Sequence, residues 1–402
     1  MKNPLSWFTP ARSTMPLAEV PEQKSAGLQS LFAMSGTAHA HWTHTDYASL
    51  ARRGFMSNPI VYRCIRLISE TAAAVPMLAY EGVQENNEHP ILDLLRRPNS
   101  RQSGKEFMEA LIGHLLVSGN AYLERIMLND TPRELHLLRP DRVKVLSDKS
   151  GWVQGYEYQS GGSKKQHRVL ETGFCDVTHL TLFHPLDDHY GFAPLQAALM
   201  ALDVHNSANQ WNKALLDNSA RPSGALVYAS AAGTQLSQDQ FSRLKEELEE
   251  GYTGANRAGR PLLLEGGLDW KAMGHSPRDM DFVEARNAAA RDVALAFGVP
   301  PMLLGIPGDN TYSNYQEANR AFTRQTLLPM INRTVDNLNH WLQPEFDTPV
   351  RVAIDEDRVE GLASEREAVW ARLNSAEFLS DDEKREALGY SPKVSSEGTH
   401  ER

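Results

Sequence analysis

The strongest constraint on this chain is a helix that must stop, turn and restart within residues 293–342. Gly298 stands where a helix C-cap needs a left-handed residue. Pro300 and Pro301 cannot continue a helix because each lacks a backbone donor and fixes φ. A turn-rich stretch, Ile-Pro-Gly-Asp-Asn-Thr-Tyr-Ser-Asn, follows Gly305. The pattern predicts a hinge between two helices rather than a pocket.

Long helices are predicted on both sides of this hinge. Residues 194–217 predict one helix of about 35 Å, and Ser276-Pro277 predicts the start of another that runs to the hinge. The first is rich in Ala, Asn, Gln and Ser, which favours close packing among identical copies beside a wet channel over burial in a monomer core. Residues 315–342 predict a long amphipathic helix. Its apolar positions are Ala318, Phe322, Leu327, Leu328, Ile331, Val335, Leu338 and Trp341.

Residues 46–190 predict a lobe of the α+β class. Asn58-Pro59 has the pattern of an N-cap and a first helical turn, and Ser103 with Glu106 has capping-box spacing. Further along, alternating apolar and polar runs separated by Gly, Pro, Asp and Ser predict short antiparallel strands. The clearest runs are residues 122–126, 135–137, 143–145 and 156–158.

A small β-α-β insert is predicted between the two helices that precede the hinge. Gly224–Tyr228 and residues 261–264 are expected to be strands, and Ser237 opens a helix with a capping box. That helix carries a charged run, which predicts either a solvated face or a contact with another subunit or a motor protein. The run consists of Arg243, Lys245, Glu246, Glu247, Glu249 and Glu250.

The end of the chain is predicted to return to the first lobe. Residues 350–354 are expected to form a strand that joins it. Residues 362–388 predict two further helices, the second capped by Ser380 and ended by Gly389.

Length and composition limit the classes of function. A chain of 402 residues exceeds one hydrophobic core, so two or three lobes are expected. The formal net charge of -10 disfavours tight or sequence-specific DNA binding, which depends on cationic side chains at phosphates. The sequence has neither a long apolar run nor a signal-peptide pattern, so we expect a cytosolic chain without membrane contact. Cys64 and Cys175 lie in apolar segments, which predicts buried, reduced thiols.

Catalytic motifs are absent from the sequence. It has no phosphate loop, Gly-x-Ser-x-Gly elbow, His-Glu-x-x-His pair or Cys-x-x-Cys pair, so we expect no cofactor and no ATPase activity. One polar cluster contains His184, Asp187, Asp188 and His189. It predicts a polar turn before a helix or, alternatively, the metal site of a hydrolase. A second cluster contains His39, His41 and His44. It predicts a polar segment within a partly disordered arm at residues 1–45 or, alternatively, a metal site.

Four separate motifs occur in order along the chain. They are a Gly-x-x-Pro-Leu helix start at Gly191, Asn-Ser-Ala-Arg-Pro-Ser-Gly at residues 218–224, Gly-Val-Pro-Pro-x-Leu-Leu-Gly from Gly298, and Asp-Glu-x-Arg-x-x-Leu-Gly-Tyr-x-Pro at residues 382–392. Together they resemble the HK97-like portal proteins of tailed double-stranded DNA phages over residues 58–392. Ser-Asp-Asp-Glu-Lys-Arg from Ser380 departs from the family's Thr-x-Asn-Glu-x-Arg, which affects only the local helix cap.

The resemblance implies an α+β portal fold with an α/β wing, a long helical stem, a small α/β clip and a short helical crown, assembled as a ring. The implied divisions are an arm (1–45), a wing (46–190), a stem helix (191–220), a clip (221–275), a second stem helix (276–298), a segment with the hinge, tunnel loop, long helix and wing return strand (299–361), and a crown (362–402).

The resemblance also implies a structural protein rather than an enzyme. We expect a ring of about twelve copies at one capsid vertex of a phage or gene transfer particle, assembled in the bacterial cytoplasm and passing double-stranded DNA without sequence specificity. The implied partners are further copies, the terminase large subunit, a head-tail adaptor protein and the major capsid protein. The implied tunnel loop contains Asp309, Asn310, Thr311, Tyr312, Ser313 and Asn314. The predicted stem contacts between subunits are Ala197, Ala201, Ala208, Ala288 and Ala289.

Overall fold

The computed structural model describes residues 42–82, 84–217, 224–228, 237–240, 242–243, 268–272, 282–308 and 312–388. Several sequence predictions lie outside these ranges, namely those for His39 and His41, the strand at residues 261–264, the helix start at Ser276 and the helix stop at Gly389. The last residues of the predicted arm are held in place. Thr43 donates from its backbone N and its Oγ1 to the carboxylate of Asp203, at 2.9 and 2.5 Å.

Helices begin and end largely where the capping residues predict. The α-helices of the described ranges are α1 (Tyr47–Ser49), α2 (Pro59–Ala74), α3 (Pro90–Arg96), α4 (Gly104–Ser118), α5 (Pro194–Ala197), α6 (Leu199–Asp217), α7 (Phe282–Ala296), α8 (Tyr312–Phe322), α9 (Leu328–Leu342), α10 (Ala363–Asn374) and α11 (Asp381–Ala387). Asn58 Oδ1 accepts from the backbone N of Ile60 and Val61, and the capping boxes at Ser103 and Ser380 are complete. No helix within the described ranges combines the length and the apolar character needed to cross a membrane.

The strands form small antiparallel sheets, as the alternating runs predict. They are β1 (Met77–Glu81), β2 (Gln84–Glu85), β3 (Asn120–Leu128), β4 (Thr131–Leu138), β5 (Val143–Ser147), β6 (Val153–Ser160), β7 (Ser163–Arg168), β8 (Val177–Thr181), β9 (Gly224–Tyr228), β10 (Leu268–Ala272) and β11 (Arg351–Ile354). Their orders are β4-β3-β8, β5-β6-β7, β11-β1-β2 and β10-β9. The predicted return strand therefore pairs with β1, in the register Met77↔Ile354.

One apolar core joins the 46–190 lobe to the helices on both sides of the hinge. Ile68 of α2 and Leu111 of α4 are fully buried in the same cluster as Leu195 of α5, Val293 of α7 and Ile331 of α9. Cys64 also lies in this cluster, and Cys175 is buried in a second one; both are free thiols, as predicted. Burial raises the pKa of the Cys64 thiol to about 12, so it stays protonated and unreactive.

A buried arginine fastens the C-terminal end of α9 to the β4-β3-β8 sheet. Arg125 of β3 is 6% exposed, and its Nη1 lies 2.9 Å from Glu345 Oε1. The same nitrogen donates to the carbonyl of Trp341 at 3.2 Å, and the guanidinium carbon lies 5.4 Å from the centre of the Trp341 ring. Trp341 Nε1 donates to the carbonyl of Cys175 at 3.1 Å. The end of the long helix is thus fixed by a set of polar contacts as well as by apolar packing.

Candidate functional site

The hinge predicted at Gly298 is present, and the structure explains why glycine stands there. Helix α7 ends at Ala296, and Gly298 has φ +67°, a conformation that favours glycine. Its carbonyl accepts a hydrogen bond from Thr326 Oγ1 at 2.6 Å. A Cβ at position 298 would lie 2.6 Å from the Thr326 hydroxyl oxygen, so a side chain there would displace that hydroxyl and disrupt its hydrogen bond.

The loop after the hinge is fixed to α7 before it leaves the described residues. Ile306 is buried with Ala290 and Ala294 of α7. The guanidinium of Arg291 donates to the carbonyl of Pro307. The chain is therefore held against α7 up to the point where the predicted tunnel loop begins.

The predicted tunnel loop is only partly described. Residues 309–311, which include Asp309, Asn310 and Thr311, lie outside the described ranges. Helix α8 begins at Tyr312, so Tyr312, Ser313 and Asn314 belong to the first turn of a helix rather than to the loop. The predicted loop is shorter than the sequence suggested, because turn-forming residues are also common in the first turn of helices.

The long helix after the hinge contains a π-helical turn that the sequence did not predict. Thr323–Leu327 separates α8 from α9, and Thr323 Oγ1 donates back to the carbonyl of Asn319 at 2.8 Å. A Cβ at Gly361 would lie 2.1 Å from that same hydroxyl oxygen. Gly361 leaves room for this hydroxyl, and it is too distant in sequence to give a local signal for the turn.

The two predicted stem helices pack against each other within one chain. The helix predicted at residues 194–217 is interrupted at Ala198, which divides it into α5 and α6. Ala208 of α6 and Ala289 of α7 are 6% and 4% exposed. Their methyl groups are already used in packing inside the chain, which removes both from the predicted contacts between subunits. Of the other predicted contacts, Ala197 and Ala288 are exposed and Ala201 is half-buried.

A polar cluster fixes the start of α6 to the first lobe. Asn58 Nδ2 lies 3.0 Å from His205 Nδ1 and donates to Asn206 Oδ1 at 2.8 Å. Asn206 Nδ2 in turn donates to the carbonyl of Arg53 at 3.1 Å. Burial lowers the pKa of His205, which favours a neutral ring that can accept from Asn58. Asn58 therefore caps α2 and also positions α6.

The first strand predicted in the insert is present as β9 (Gly224–Tyr228). It pairs antiparallel with β10 (Leu268–Ala272), a strand that the sequence did not predict, with Gly224↔Ala272 at one end. The capping box at Ser237 is formed, since its backbone N donates to Gln240 Oε1 at 3.0 Å and its Oγ accepts from Gln240 N at 3.3 Å. Arg243 is exposed, and the rest of the predicted charged run lies outside the described residues.

The cluster at His184 and Asp187 is a turn held by its own backbone. Asp187 Oδ1 accepts from the backbone N of His189 and Tyr190 at 2.8 and 3.0 Å, which lowers the pKa of its carboxyl. His184 Nδ1 accepts from Leu186 N at 3.0 Å. Within the described ranges, no three His, Cys, Asp or Glu side chains converge as a metal site would require. The polar-turn interpretation is confirmed.

Comparison with known proteins supports the family resemblance drawn from the sequence motifs. The model of the family described as phage portal protein matches residues 59–389. The chain belongs to this family. The portal protein of Enterobacteria phage HK97 is 26% identical over 356 residues, which cover 85% of this chain and 77% of the phage protein. The HK97-like resemblance is therefore confirmed, whereas the hydrolase alternative has no support among these relatives.

Solved structures of gene transfer agent (GTA) particles contain chains that are similar to this portal-family chain. A chain in the neck of an empty GTA particle, computed with C6 symmetry, is 50% identical with a TM-score of 0.70, and the match covers 90% of this chain and 98% of that one. A chain in the neck of a native GTA particle, computed with C12 symmetry, is 50% identical with a TM-score of 0.68, covering 89% and 97%.

Proposed function

We infer that this portal-family chain closes into a ring of twelve copies at one capsid vertex, and that double-stranded DNA enters and leaves the particle through the ring. The main support is the similarity to a chain in the neck of a GTA particle computed with C12 symmetry. The two chains are 50% identical over nearly their full lengths. The ring serves as a docking platform for the terminase large subunit during packaging and then for a head-tail adaptor protein. Its outer surface contacts the major capsid protein, and assembly takes place in the bacterial cytoplasm.

The charge of the chain suits a conduit better than a DNA-binding protein. Each copy carries a formal net charge of -10, and a channel lined by part of that charge repels phosphates. DNA can then slide without the phosphate neutralisation that makes nucleic-acid binding strong. This argument supports passage of DNA without sequence specificity.

The ring is tested most directly by its mass and symmetry. Native mass spectrometry of the purified full-length chain is expected to give a species of twelve subunits, and electron micrographs of top views are expected to have twelvefold symmetry. A chain that remains a monomer or dimer at all concentrations would contradict the proposal.

Contacts between subunits are proposed along the stem, at the alanines that remain accessible. Ala197→Trp and Ala288→Trp are each expected to weaken the contact by about 1–3 kcal/mol through overpacking. The defect recurs at every interface of the ring, so ring yield in native mass spectrometry should fall sharply while circular dichroism stays unchanged. Ala371→Trp is the matched control, because Ala371 is an exposed alanine on α10, outside the stem. Rings at wild-type yield in both stem variants would place the contact elsewhere.

The segment at residues 305–314, which is the loop together with the first turn of α8, is proposed to line the narrowest part of the channel. Both of its ends are positioned, by Arg291 at Pro307 and by the start of α8 at Tyr312. Asp309→Lys combined with Asn310→Lys is expected to leave ring assembly unchanged and to lower the DNA packaged per particle several-fold, because two lysines per copy attract phosphates and retard sliding. The neutral control is Asp309→Asn with Asn310→Gln. Normal packaging in the lysine variant would show that the loop does not line the path of the DNA.

A further inference from the structure

The π-helical turn at Thr323–Leu327 adds one residue to the long helix that follows the hinge. Its backbone bond runs from Leu328 N to the carbonyl of Thr323, five residues back, whereas an α-helix bonds to the carbonyl four residues back. Because an α-helix has about 3.6 residues per turn, one extra residue rotates everything before the turn by about 100° about the helix axis. The turn therefore decides which side of α8 faces the core.

Buried side chains on both sides of the turn show this effect. Phe322 of α8 is 2% exposed and Leu327 is fully buried, and both belong to the same apolar cluster. In a continuous α-helix, side chains five residues apart point about 140° away from each other, so one of the two would leave the core. Within residues 314–322, Phe322 alone is buried. The orientation of α8 therefore depends on the π-helical turn beside Phe322 more than on apolar packing of its own.

Two other segments of the chain contact the turn. At the hinge, the carbonyl of Gly298 accepts a hydrogen bond from Thr326 Oγ1 at 2.6 Å. After β11, the backbone of Gly361 lies against Thr323, which is 3% exposed. A Cβ at position 361 would lie 2.1 Å from Thr323 Oγ1, 3.0 Å from its Cβ and 3.1 Å from its Cγ2. Only glycine leaves room at this position, so the contact holds Thr323 closely.

Polar contacts link the turn to α8 and α10. Thr323 Oγ1 donates to the carbonyl of Asn319 in α8 at 2.8 Å. Glu365 Oε1 of α10 lies 3.5 Å from Arg320 Nε and 3.4 Å from Arg324 Nη1. Both arginine side chains are exposed, at 42% and 62%, so these ion pairs contribute little and can rearrange in solvent. The close contact of Thr323 with Gly361 is the part that cannot rearrange without moving backbone.

A π-helical turn inside a long helix is rare and is frequently found at functional sites. Here it lies between the core and α8, whose first turn begins at Tyr312, at the end of the segment proposed to line the channel. We propose that Thr323 and Gly361 are positioning residues: their contact holds the π-helical turn and so sets the orientation of α8 and of its first turn. The consequence for DNA packaging rests on the proposed function, whereas the orientation of α8 is a property of the chain itself.

The orientation of α8 can be measured as a distance. Spin labels are attached to Tyr315→Cys on α8 and to Arg63→Cys on α2, which packs beside the π-helical turn. Both native positions are exposed, and the buried thiols of Cys64 and Cys175 stay unlabelled. A label on the surface of a helix about 10–12 Å wide moves by about 8 Å when the helix turns by about 100°. Pulsed electron paramagnetic resonance of the full-length chain, diluted with unlabelled copies, detects such a shift.

Two variants disturb the contact from opposite sides. Gly361→Ala places a methyl group on the Thr323 hydroxyl, and Thr323→Val keeps the shape of the side chain but removes its hydrogen bond to Asn319. Each is expected to shift the label distance by several Å. Thr323→Ser, which keeps the hydroxyl, and Glu360→Ala, at an exposed neighbour of Gly361, are the matched controls and should keep the wild-type distance. An unchanged distance in both test variants, or an equal shift in the controls, would overturn the proposal.

Packaging assays separate this inference from the proposed portal function. Gly361→Ala and Thr323→Val are expected to leave ring yield unchanged and to lower the DNA packaged per particle several-fold. A shifted label distance with normal packaging would support the positioning of α8 and contradict its place beside the DNA. Lower packaging with an unshifted distance would refute the positioning, because the defect would then arise without any rotation of α8, while the portal function would stand.

Discussion

Replacement of Gly191 by alanine is expected to destabilise the chain by about 3 kcal/mol or more, at or above the upper end of ordinary overpacking. A Cβ at position 191 would lie 2.1 Å from the carbonyl oxygen of Gly119 and 2.7 and 2.8 Å from the backbone N and O of Leu182. All three atoms belong to backbone, and two of them, the Leu182 N and the Gly119 O, are joined by a hydrogen bond that holds the junction. Leu182 N donates to Gly119 O at 2.8 Å, and Gly191 N donates to Asn120 Oδ1 at 2.8 Å.

The matched control is Gly113→Ala, the same change in the middle of α4. A Cβ there meets nothing within 4 Å. Alanine in a helix interior is therefore expected to stabilise the chain by roughly 0.5–1 kcal/mol. Urea unfolding of both variants measures the difference, and native mass spectrometry gives the ring yield of each. Equal stability of the two variants would mean that the approach of Gly191 to Gly119 is not required by the fold.

This glycine also gives a physical reason for one of the motifs that identify the family. In the Gly-x-x-Pro-Leu start, Pro194 supplies the first turn of α5 and Leu195 is fully buried in the core. Gly191 is needed because the chain passes directly over the end of α4, where Gly119 has φ +75°. The motif therefore describes a crossing of two backbones, and its three defined residues have three different structural tasks.

Features set by neighbouring residues were predictable from the sequence, and features set by distant contacts were not. The N-cap at Asn58, the capping boxes at Ser103 and Ser380 and the stop at Gly298 depend on residues within a turn of the cap, so the pattern alone determines them. Strand β1 was not predicted although its partner β11 was, because Met77–Glu81 lacks the alternation of apolar and polar residues that indicates a strand. The π-helical turn was not predicted either, and the glycine against which its Thr323 hydroxyl lies, Gly361, is distant in sequence.

In the candidate site, too, local patterns were predictable and contacts between distant residues were not. Small residues on α6 and α7 predict close packing among copies, and the structure shows these two helices packed against each other within one chain. Composition alone does not distinguish the two kinds of partner. Burial decides this for Ala208 and Ala289, which pack inside the chain. The cavity lined by Asp187, Tyr47, Tyr122 and Tyr190 could not be predicted, because these residues come from segments that are distant in sequence.

Replacement of the buried Arg125 is the second change with a large expected effect on stability. Arg125→Ala is expected to lower the free energy of unfolding by about 3–5 kcal/mol, because it leaves the carboxylate of Glu345 without its counter-charge in a mostly buried position. The side chains of Arg125 and Glu345 are 5% and 20% exposed. The variant also removes the cation-π contact with Trp341 and the bond to its carbonyl, so the end of α9 should detach from β3. Urea unfolding of the full-length chain measures the loss.

A surface pair gives the matched comparison. Arg139 pairs with Asp141, but the Arg139 side chain is 51% exposed, so Arg139→Ala is expected to cost less than about 1 kcal/mol. Similar losses of stability in the two arginine variants would show that Arg125 is not a buried clamp.

The double variant Arg125→Met with Glu345→Leu then separates two roles of the pair. If the pair mainly avoids an unpaired charge, the apolar double variant should regain most of the stability lost in Arg125→Ala. If the guanidinium is needed to position Trp341, the double variant stays destabilised, and the polar contacts rather than apolar packing fix the end of the long helix.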